Sequence, residues 1–246
     1  MSIFANLTTD TSIANEKDTV GGGNSPLESG LYPAKVVLAY AMKSDGGAMG
    51  LVLKFKTEEG REINQTLWMT SGTAKGSRNY YEDKQGAKQY LPGFVHATAL
   101  TQLTLGKDIS EVDTEEKVTS VYNRDAKAEI PTKVNMLVDL LNTDVLIGLC
   151  KQTVDKTVKN DAGMYVPTGE TREENEIDKF FRASDRKTTA EIRGKAEEAS
   201  FVEVWSDKWT GKVKNKASKT AGVAGAPSVG APAAGGMKKP STSLFA

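Results

Sequence analysis

The sequence is poor in the side chains that many enzymes use for metal binding and nucleophilic attack. Its 246 residues include one cysteine, Cys150, and one histidine, His96. These counts exclude an internal disulfide and a zinc site of the Cys/His kind. His96 could still act as a general base, and Cys150 could act as a nucleophile. A lone cysteine within Val-Leu-Ile-Gly-Leu-Cys-Lys is more typical of a small buried hydrophobic residue.

Several motifs of enzymes and membrane proteins are also missing. The chain has neither Gly-x-x-x-x-Gly-Lys-[Ser/Thr] nor Gly-x-Ser-x-Gly, which carry phosphate binding and serine esterase chemistry. Its longest apolar runs, 36–42 and 145–150, are far shorter than the roughly 18 residues that span a bilayer. Residues 1–16 lack the basic and apolar parts of a signal peptide. We expect a protein that stays in a cytoplasm, without contact to a membrane.

Charge is balanced in total but unevenly distributed. The chain has 32 basic and 32 acidic residues, so its formal net charge is zero. Residues 208–246 contain seven lysines and no acidic residue, which gives them +7 and leaves −7 on residues 1–207. A basic terminal arm of this kind is typical of chains that bind phosphate or an acidic partner.

The first part of the chain predicts a flexible leader followed by three strands. Residues 1–27 are polar and contain three consecutive glycines, so we expect them to be loosely ordered. Apolar alternation and β-branched or aromatic residues then predict strands over 31–43, 49–57 and 61–70. Short polar turns separate the strands, which should therefore form an antiparallel meander.

The remaining segments predict an alternation of loops, helices and strands. Polar or charged composition predicts loops over 71–93, 107–127 and much of 169–200. Helical spacing of apolar residues predicts helices over 94–105 and 134–142, with a further helix near 191–199. Two more strands are expected over 144–158 and 201–205. The loop 71–93 is longer than ordinary connections, and such loops are usually functional or disordered.

Five strands with a helix after the third match the connectivity of an OB-fold, which commonly binds single-stranded nucleic acid. The predicted class is mainly β: an OB-like, partly open Greek-key barrel with one or two short helices, a long insertion loop and a disordered C-terminal tail. We expect this domain at residues 28–210, followed by a flexible linker at 211–236 that is rich in Ala, Gly and Pro.

Residues 237–246 differ from the linker that precedes them. They combine two lysines with a Leu-Phe pair, which would suit a peptide that docks on a partner protein. Additional non-specific attraction to DNA is the other interpretation of these lysines. The predicted docking residues are Lys238, Lys239, Leu244 and Phe245.

The long insertion loop combines positive charge with aromatic rings. Residues 71–93 contain four cations, three tyrosines and two acidic residues. Single-stranded DNA needs cations that meet its phosphates and flat rings on which its bases stack. We add a tryptophan before the loop and two lysines on the outer row of the second strand. The predicted DNA-binding residues are Lys54, Lys56, Trp68, Lys75, Arg78, Tyr80, Tyr81, Lys84, Lys88 and Tyr90.

The same residues allow other interpretations. The tyrosines would also suit packing against the barrel, and the charged residues of the loop would suit a solvated hairpin tip. The two lysines of the second strand could be ordinary exposed lysines. A metal-dependent nuclease would need a partner carboxylate near Glu62, Asp83 or Glu191. A structural or assembly protein would use its tail to dock on a partner.

Several motifs resemble those of one known family. They are Gly-Leu-Tyr-Pro-Ala-Lys-Val at 30–36, Trp-Met-Thr-Ser-Gly-x-x-Lys-Gly at 68–76, Tyr-Tyr-x-Asp-Lys-x-Gly at 80–86 and Tyr-Leu-Pro-Gly-Phe at 90–94, with a lysine-bearing C-terminus. Together they resemble the single-stranded DNA-binding proteins of podoviruses related to coliphage "N-four". The tail differs from that of bacterial single-strand binders, which carries acidic residues before an apolar tip.

The resemblance implies a phage protein without enzymatic activity or cofactor in the cytoplasm of the infected bacterial host. Such a protein coats single-stranded DNA, without strong sequence preference, in replication and recombination. Its partners would include phage replication or recombination proteins and host RNA polymerase, through which it would activate late transcription.

Overall fold

The computed structural model describes residues 25–123, 126–161 and 164–217. Most of the predicted leader, most of the predicted linker and the whole docking peptide, with Lys238, Lys239, Leu244 and Phe245, lie outside the described residues. The described elements are β1 Gly30–Lys43, β2 Met49–Thr57, β3 Glu62–Trp68, β4 Tyr80–Glu82, β5 Lys88–Tyr90, α1 Pro92–Leu105, β6 Glu115–Asn123, β7 Ala128–Met136, β8 Asp144–Lys159, β9 Tyr165–Arg182, α2 Thr189–Arg193, α3 Phe201–Trp209 and β10 Val213–Asn215.

The predicted meander is confirmed. Strand β2 pairs antiparallel with β1 and with β3, so that Leu53 lies opposite Ala39 on one side and Gln65 on the other. Alternate residues of β2 are buried, including Leu51, Leu53 and Phe55, because successive side chains of a strand point to opposite faces. The two lysines of β2 lie in the outer row, as the alternation predicts.

Helix α1 packs its apolar side on this sheet. It begins with a proline in its first turn and ends at Gly106, whose φ of 71° suits glycine at a helix C-terminus. Ala97, Leu100 and Leu103 are buried in the same core cluster as the inward residues of the meander. The predicted helix over 94–105 is therefore confirmed.

Strand β1 is the centre of the sheet. One edge pairs with β2. The other edge pairs first with β8, from Gly30 opposite Leu149 to Lys35 opposite Asp144, and later with β7, where Tyr40 lies opposite Met136. Strands β9 and β10 both pair with β8. Among the described residues β3 pairs with β2 alone, so the sheet is antiparallel but not closed, and the mainly β class is confirmed.

Two strands lie where a loop and a helix were predicted. β6 and β7 form a hairpin in register from Glu115 opposite Met136 to Asn123 opposite Ala128. Both strands are largely exposed and polar, so their composition is that of a loop, and cross-strand pairing stabilises them. The apparent helical spacing over 134–142 arises because β7 ends at Met136 and a 3-10 turn follows at Val138–Leu140.

The C-terminal part of the fold also corrects the sequence prediction. The segment predicted as a strand over 201–205 is helix α3, which buries Val202 and Trp205 on one side. Strand β9 occupies much of the predicted charged loop, with Phe180 and Phe181 buried. Trp205 Nε1 donates to Asp178 Oδ2 at 2.8 Å and thereby attaches α3 to β9.

The described residues form two compact units. The first unit covers the described residues of 25–152 and 173–215. The second unit covers the described residues of 153–172 and 216–217. It therefore contains the end of β8, the beginning of β9 and the two residues after β10. Within the second unit, Lys156 Nζ lies 2.9 Å from Glu170 Oε2. Residues 211–215 belong to the first unit, so the predicted linker is wrong for them.

Gly211 N–H donates to Ser29 O at 2.9 Å, and β10 follows directly, so residues after the predicted end of the domain still take part in its hydrogen bonding.

Across the described residues, no helix combines the length and apolar character needed to cross a membrane. Cys150 is fully buried in a cluster with Phe181 and Trp205, as expected for a small hydrophobic residue.

Candidate functional site

The predicted insertion loop contains a small hairpin, which we call the tyrosine hairpin. It consists of β4 and β5, with Tyr80 opposite Tyr90 and Glu82 opposite Lys88. Asp83 Oδ1 closes the turn by accepting from the N–H groups of Gln85 and Ala87, both at 2.9 Å. The prediction of a loop throughout residues 71–93 is wrong at β4 and β5, because local turn bonds hold these two short strands together.

The three tyrosines of the hairpin do not share one face. Tyr80 and Tyr90 lie opposite each other and point to the same side, whereas Tyr81 points to the other side. Tyr80 is half-buried, Tyr81 is 50% exposed and Tyr90 is 61% exposed. The ring of Tyr90 is 5.1 Å from the ring of Phe94, at the start of α1. Tyr90 therefore presents a supported ring with more than half of its surface open to a ligand.

Two of the four cations of the segment lie at the ring of Tyr80. Lys88 Nζ lies 4.9 Å from the centre of the Tyr80 ring, and the Arg78 guanidinium lies 5.7 Å from it. Tyr80 is thus already in contact with two cations, which favours a positioning role over base stacking. Within the described part of the chain, none of the four has a carboxylate at ion-pair distance. The four cations, available for phosphate, are Lys75, Arg78, Lys84 and Lys88.

Trp68 stands at the end of β3, next to the base of the tyrosine hairpin. It is 42% exposed, and one part of its ring packs on Gly50, where an added Cβ would lie 3.0 Å from the ring. The first turn of α1 approaches its backbone so closely that a Cβ on Gly93 would lie 2.2 Å from Trp68 O. Only glycine permits this approach, so Gly93 holds the start of α1 against the backbone of Trp68.

A groove of about 700 Å³ lies beside Trp68. Lys75 lies at this groove. So do Gln65, His96 and Glu176, which no sequence pattern marks as ligand contacts. Burial lowers the pKa of His96 below its usual 6.5, and the nearby Lys179 acts in the same direction. His96 is therefore neutral at pH 7. Gln65 belongs to the inward row of a strand, where a sequence pattern marks it as core rather than as a ligand contact.

The structure separates two predicted residues from this site. Lys54 and Lys56 lie on β2, but Trp68 is opposite Gly50, and Lys56 is opposite Glu62 at the other end of the strand pair. Six residues of strand correspond to about 20 Å at the usual rise per residue. The prediction that Lys56 lies beside the insertion loop is therefore wrong, and Lys54 is four residues, or about 14 Å, from Gly50 along the same strand. Lys54 Nζ is 3.2 Å from Glu62 Oε2.

Lys56 lines a different cavity, of about 710 Å³. This cavity also contains Lys35 and Arg186, together with Asp144, which lies 2.6 Å from Lys35 Nζ. It is formed by the part of β1 that pairs with β8 and by the residues after β9, so it is distinct from the groove beside Trp68.

The carboxylates considered for a nuclease have local structural partners. Glu62 pairs with Lys54, Asp83 closes the hairpin turn, and Glu191 accepts from the N–H groups of Thr188, Ser200 and Phe201 at 2.8 Å each. Glu191 thereby caps α2 and fixes the start of α3. In the portion of the chain that the structure describes, no three side chains of the His, Cys, Asp and Glu types are grouped closely enough to hold a metal ion.

The tyrosine hairpin, Trp68 and the groove beside it form one continuous candidate site. Leu91 and Pro92, which directly follow Tyr90, line the groove together with Trp68. Comparisons of the chain with models of known protein families and with curated proteins gave no match. The function of this surface must therefore be inferred from its own residues.

Proposed function

We propose that the protein binds and protects single-stranded DNA without strong sequence preference and without enzymatic activity or a cofactor. The observation that carries this proposal is the grouping of two exposed rings, Trp68 and Tyr90, with four cations that have no described carboxylate partner. Base stacking on rings and contacts from cations to phosphates are the two interactions that bind a single strand whatever its sequence.

An OB-like arrangement of the strands is part of this proposal. Support comes from the meander β1 to β3, the helix α1 after it, and the return of β8 to the free edge of β1. The open side lies between β3 and β9, where Ile177 N–H donates to the side-chain Oε1 of Gln65 at 3.3 Å. A partly open barrel would have its seam here, next to the groove beside Trp68.

The biological setting of the proposal follows from the sequence resemblance. We place the protein in phage DNA replication and recombination, in the cytoplasm of the infected bacterial host. The peptide 237–246 would contact host RNA polymerase and thereby activate late transcription. A deletion of residues 237–246 tests this part: we expect single-strand affinity to stay at the parent value while polymerase stimulation is lost. A parallel fall of both would instead identify the peptide as a further DNA contact.

A fluorescence titration with labelled oligo(dT), with and without magnesium, tests the main proposal. We expect saturable binding in both conditions, an intact oligonucleotide after incubation, and much weaker binding of a duplex of equal length. Cleavage that depends on magnesium would support a nuclease instead. Absence of both binding and cleavage would favour a structural or assembly protein.

A further inference from the structure

Strand β6 forms an unpaired edge of the main sheet. In the described part of the chain it pairs with β7 alone, over nine residues and without a break in register. Most of its residues are exposed, and the edge strand β10 has only three residues by comparison. A long edge strand presents a row of N–H and C=O groups to which another strand can pair.

The position of a proline on β7 indicates which polar groups of β6 point outward. Pro131 lies opposite Ser120. Proline has no N–H, so it suits a pair in which the polar groups of both residues are directed away from each other. The N–H and C=O of Ser120 therefore face the free edge. Those of Val118 and Tyr122 do so too, because the direction alternates along an antiparallel strand.

The central part of β6 has none of the features that usually protect a free edge. Proteins protect such edges with proline, charged side chains or bulges. Pro131 has this effect on β7, whose other edge pairs with β1, among the described residues, only at Asn135 and Met136. Residues 118–123 of β6 contain neither proline nor a charged residue, and their pairing with β7 has no bulge. The edge of β6 is therefore open to a further strand.

Two exposed apolar side chains accompany this edge. Val118 is 64% exposed and Tyr122 is 61% exposed. They are four residues apart in one strand and therefore share a face. The other face of the hairpin carries Val121 and Val134, which pack in the cluster around Tyr40. Val118 and Tyr122 thus contribute nothing to that cluster and are available to a partner.

We propose that β6 pairs antiparallel with β6 of a second copy of this chain, with Ser120 on the two-fold axis. Each Ser120 N–H donates to the Ser120 C=O of the other copy, and Val118 of each copy lies opposite Tyr122 of the other. Lys117 lies opposite Asn123, so no two charges of the same sign face each other along these residues. This pairing does not depend on the single-strand binding proposed above.

The sequence of β6 suits a copy of itself better than an unrelated strand. The two-fold axis exchanges positions 118 and 122, so the pairing brings a β-branched and an aromatic side chain together twice, and such cross-strand pairs stabilise sheets. With two bonds in each bonded pair, the three pairs centred on Ser120 contribute about six hydrogen bonds. Contacts between identical surfaces across a two-fold axis are the commonest way in which identical chains associate.

The association should be reversible. A contact through one strand of each copy is smaller than the standard interface of roughly 1,600 Å², so we expect a dissociation constant on the order of micromolar. Sedimentation equilibrium of the full chain without DNA, from about 1 to about 200 μM, measures it. The average mass should rise with concentration from the 26.4 kDa of one chain towards twice that value.

Ser120→Pro tests the hydrogen bonds on the axis. One substitution removes both bonds of the Ser120 pair, and two net hydrogen bonds correspond to about 5- to 150-fold in affinity. The hairpin should stay folded, because β7 does not use this N–H, and thermal unfolding verifies it. The matched control is Glu129→Pro, which places proline on the protected edge of β7 and should associate like the parent.

Ser120→Cys tests the register. Opposite residues of a bonded antiparallel pair have Cα atoms about 5.5 Å apart, which is within the range of a disulfide. Cys150 is the only native cysteine and is fully buried, so oxidation with oxidised glutathione should link two chains through position 120. Ser184→Cys, at an exposed serine outside the hairpin, is the control and should form far less linked dimer.

The outcomes decide whether β6 is an interface between two copies. A dimer that Ser120→Pro weakens and Glu129→Pro does not, together with linkage specific to Ser120→Cys, supports the proposal. A monomer at every concentration overturns it. So does a dimer that Ser120→Pro leaves as tight as in the parent, or equal linkage of the two cysteine variants.

Discussion

Replacement of Tyr90 by alanine tests whether the tyrosine hairpin is a surface for base stacking. The ring of Tyr90 is 61% exposed and is supported by Phe94, with 5.1 Å between ring centres. Stacking of one base on such a ring contributes about 1–3 kcal/mol. Tyr90→Ala should therefore weaken binding of oligo(dT) by about 5- to 150-fold at 25 °C.

The cost to the fold should be much smaller than the cost to binding. A favourable aromatic pair adds about 0.5–1.5 kcal/mol when it is well packed, and more than half of Tyr90 is in contact with solvent. We expect the variant to lose less than about 1 kcal/mol of unfolding free energy. Tyr90→Phe keeps the ring and should bind oligo(dT) like the parent.

Tyr81 provides the matched control on the same hairpin. It is exposed to a similar extent but lies on the opposite face from Tyr90 and Lys88. Tyr81 pairs with Gln89, which lies between Lys88 and Tyr90, and neighbouring residues of a strand point to opposite faces. A strand of DNA that follows the face with Lys88 would leave Tyr81 free, so Tyr81→Ala should bind like the parent. The assay is fluorescence anisotropy with labelled oligo(dT), combined with thermal unfolding. Parent-like binding by Tyr90→Ala would refute stacking on this ring, and a loss confined to Tyr81→Ala would move the DNA to the other face.

Three further predictions address charge, pH and packing. Lys84→Ala combined with Lys88→Ala should reduce the slope of log K against log salt by about 1.4, at roughly 0.7 per phosphate contact with a single strand, and an unchanged slope would place the phosphate contacts elsewhere. Hydrogen bonds from a neighbouring guanidinium lower the pKa of Asp185 from 3.8 to about 2, so this carboxylate stabilises the fold above pH 4 and its contribution is lost as the pH falls towards 2. Asp185→Asn should therefore flatten the decrease of Tm over that interval, and an identical decrease in parent and variant would contradict the assignment. Gly93→Ala should cost about 1–3 kcal/mol of stability in a denaturant titration, because its Cβ has no room beside the Trp68 carbonyl, and parent-like stability would show that α1 adjusts freely.

Lys56 lies outside the candidate site and therefore provides a control for the charge of the tyrosine hairpin. Lys56 shares its cavity with Lys35 and Arg186, at the end of the meander remote from Trp68. Substitution of Lys56 therefore serves as a charge-matched control for the lysines of the tyrosine hairpin. The same loss of positive charge should leave the salt dependence unchanged if the DNA follows the hairpin and the groove.

The local pattern of residues was sufficient to predict five of the elements that contribute to the core. Strands β1, β2 and β3 have apolar residues with the period of a strand, because each presents one face to the core. Strand β8 has instead a continuous apolar run that is buried from Val145 to Cys150, and helix α1 buries Ala97, Leu100 and Leu103. The composition of residues 71–93 also predicted that cations and aromatic rings would occur together. Apolar spacing and composition can both be recognised within a short stretch of the sequence.

Tertiary structure decided the elements that gain their stability from pairing with distant residues. The hairpin of β6 and β7 is largely polar and exposed, so no apolar period marks it, and hydrogen bonds across the two strands hold it in place. In α3, alternation over 201–205 mimics a strand, whereas the helix packs Trp205 on β9 through Asp178. These contacts join residues that are far apart in sequence, and local propensity contains no information about them.

The same distinction applies to the candidate site. The sequence alone predicted the rings and cations of the insertion segment, because composition reveals them directly. Only the register of β2 and β3 places Trp68 opposite Gly50 and thereby moves Lys56 about 20 Å away along the strands. Only the approach of β9 to β3 brings the Ile177 N–H to the side-chain oxygen of Gln65. Strand register and the packing of β9 beside an unpaired strand edge are set by the whole sheet, so they could be known only from the folded chain.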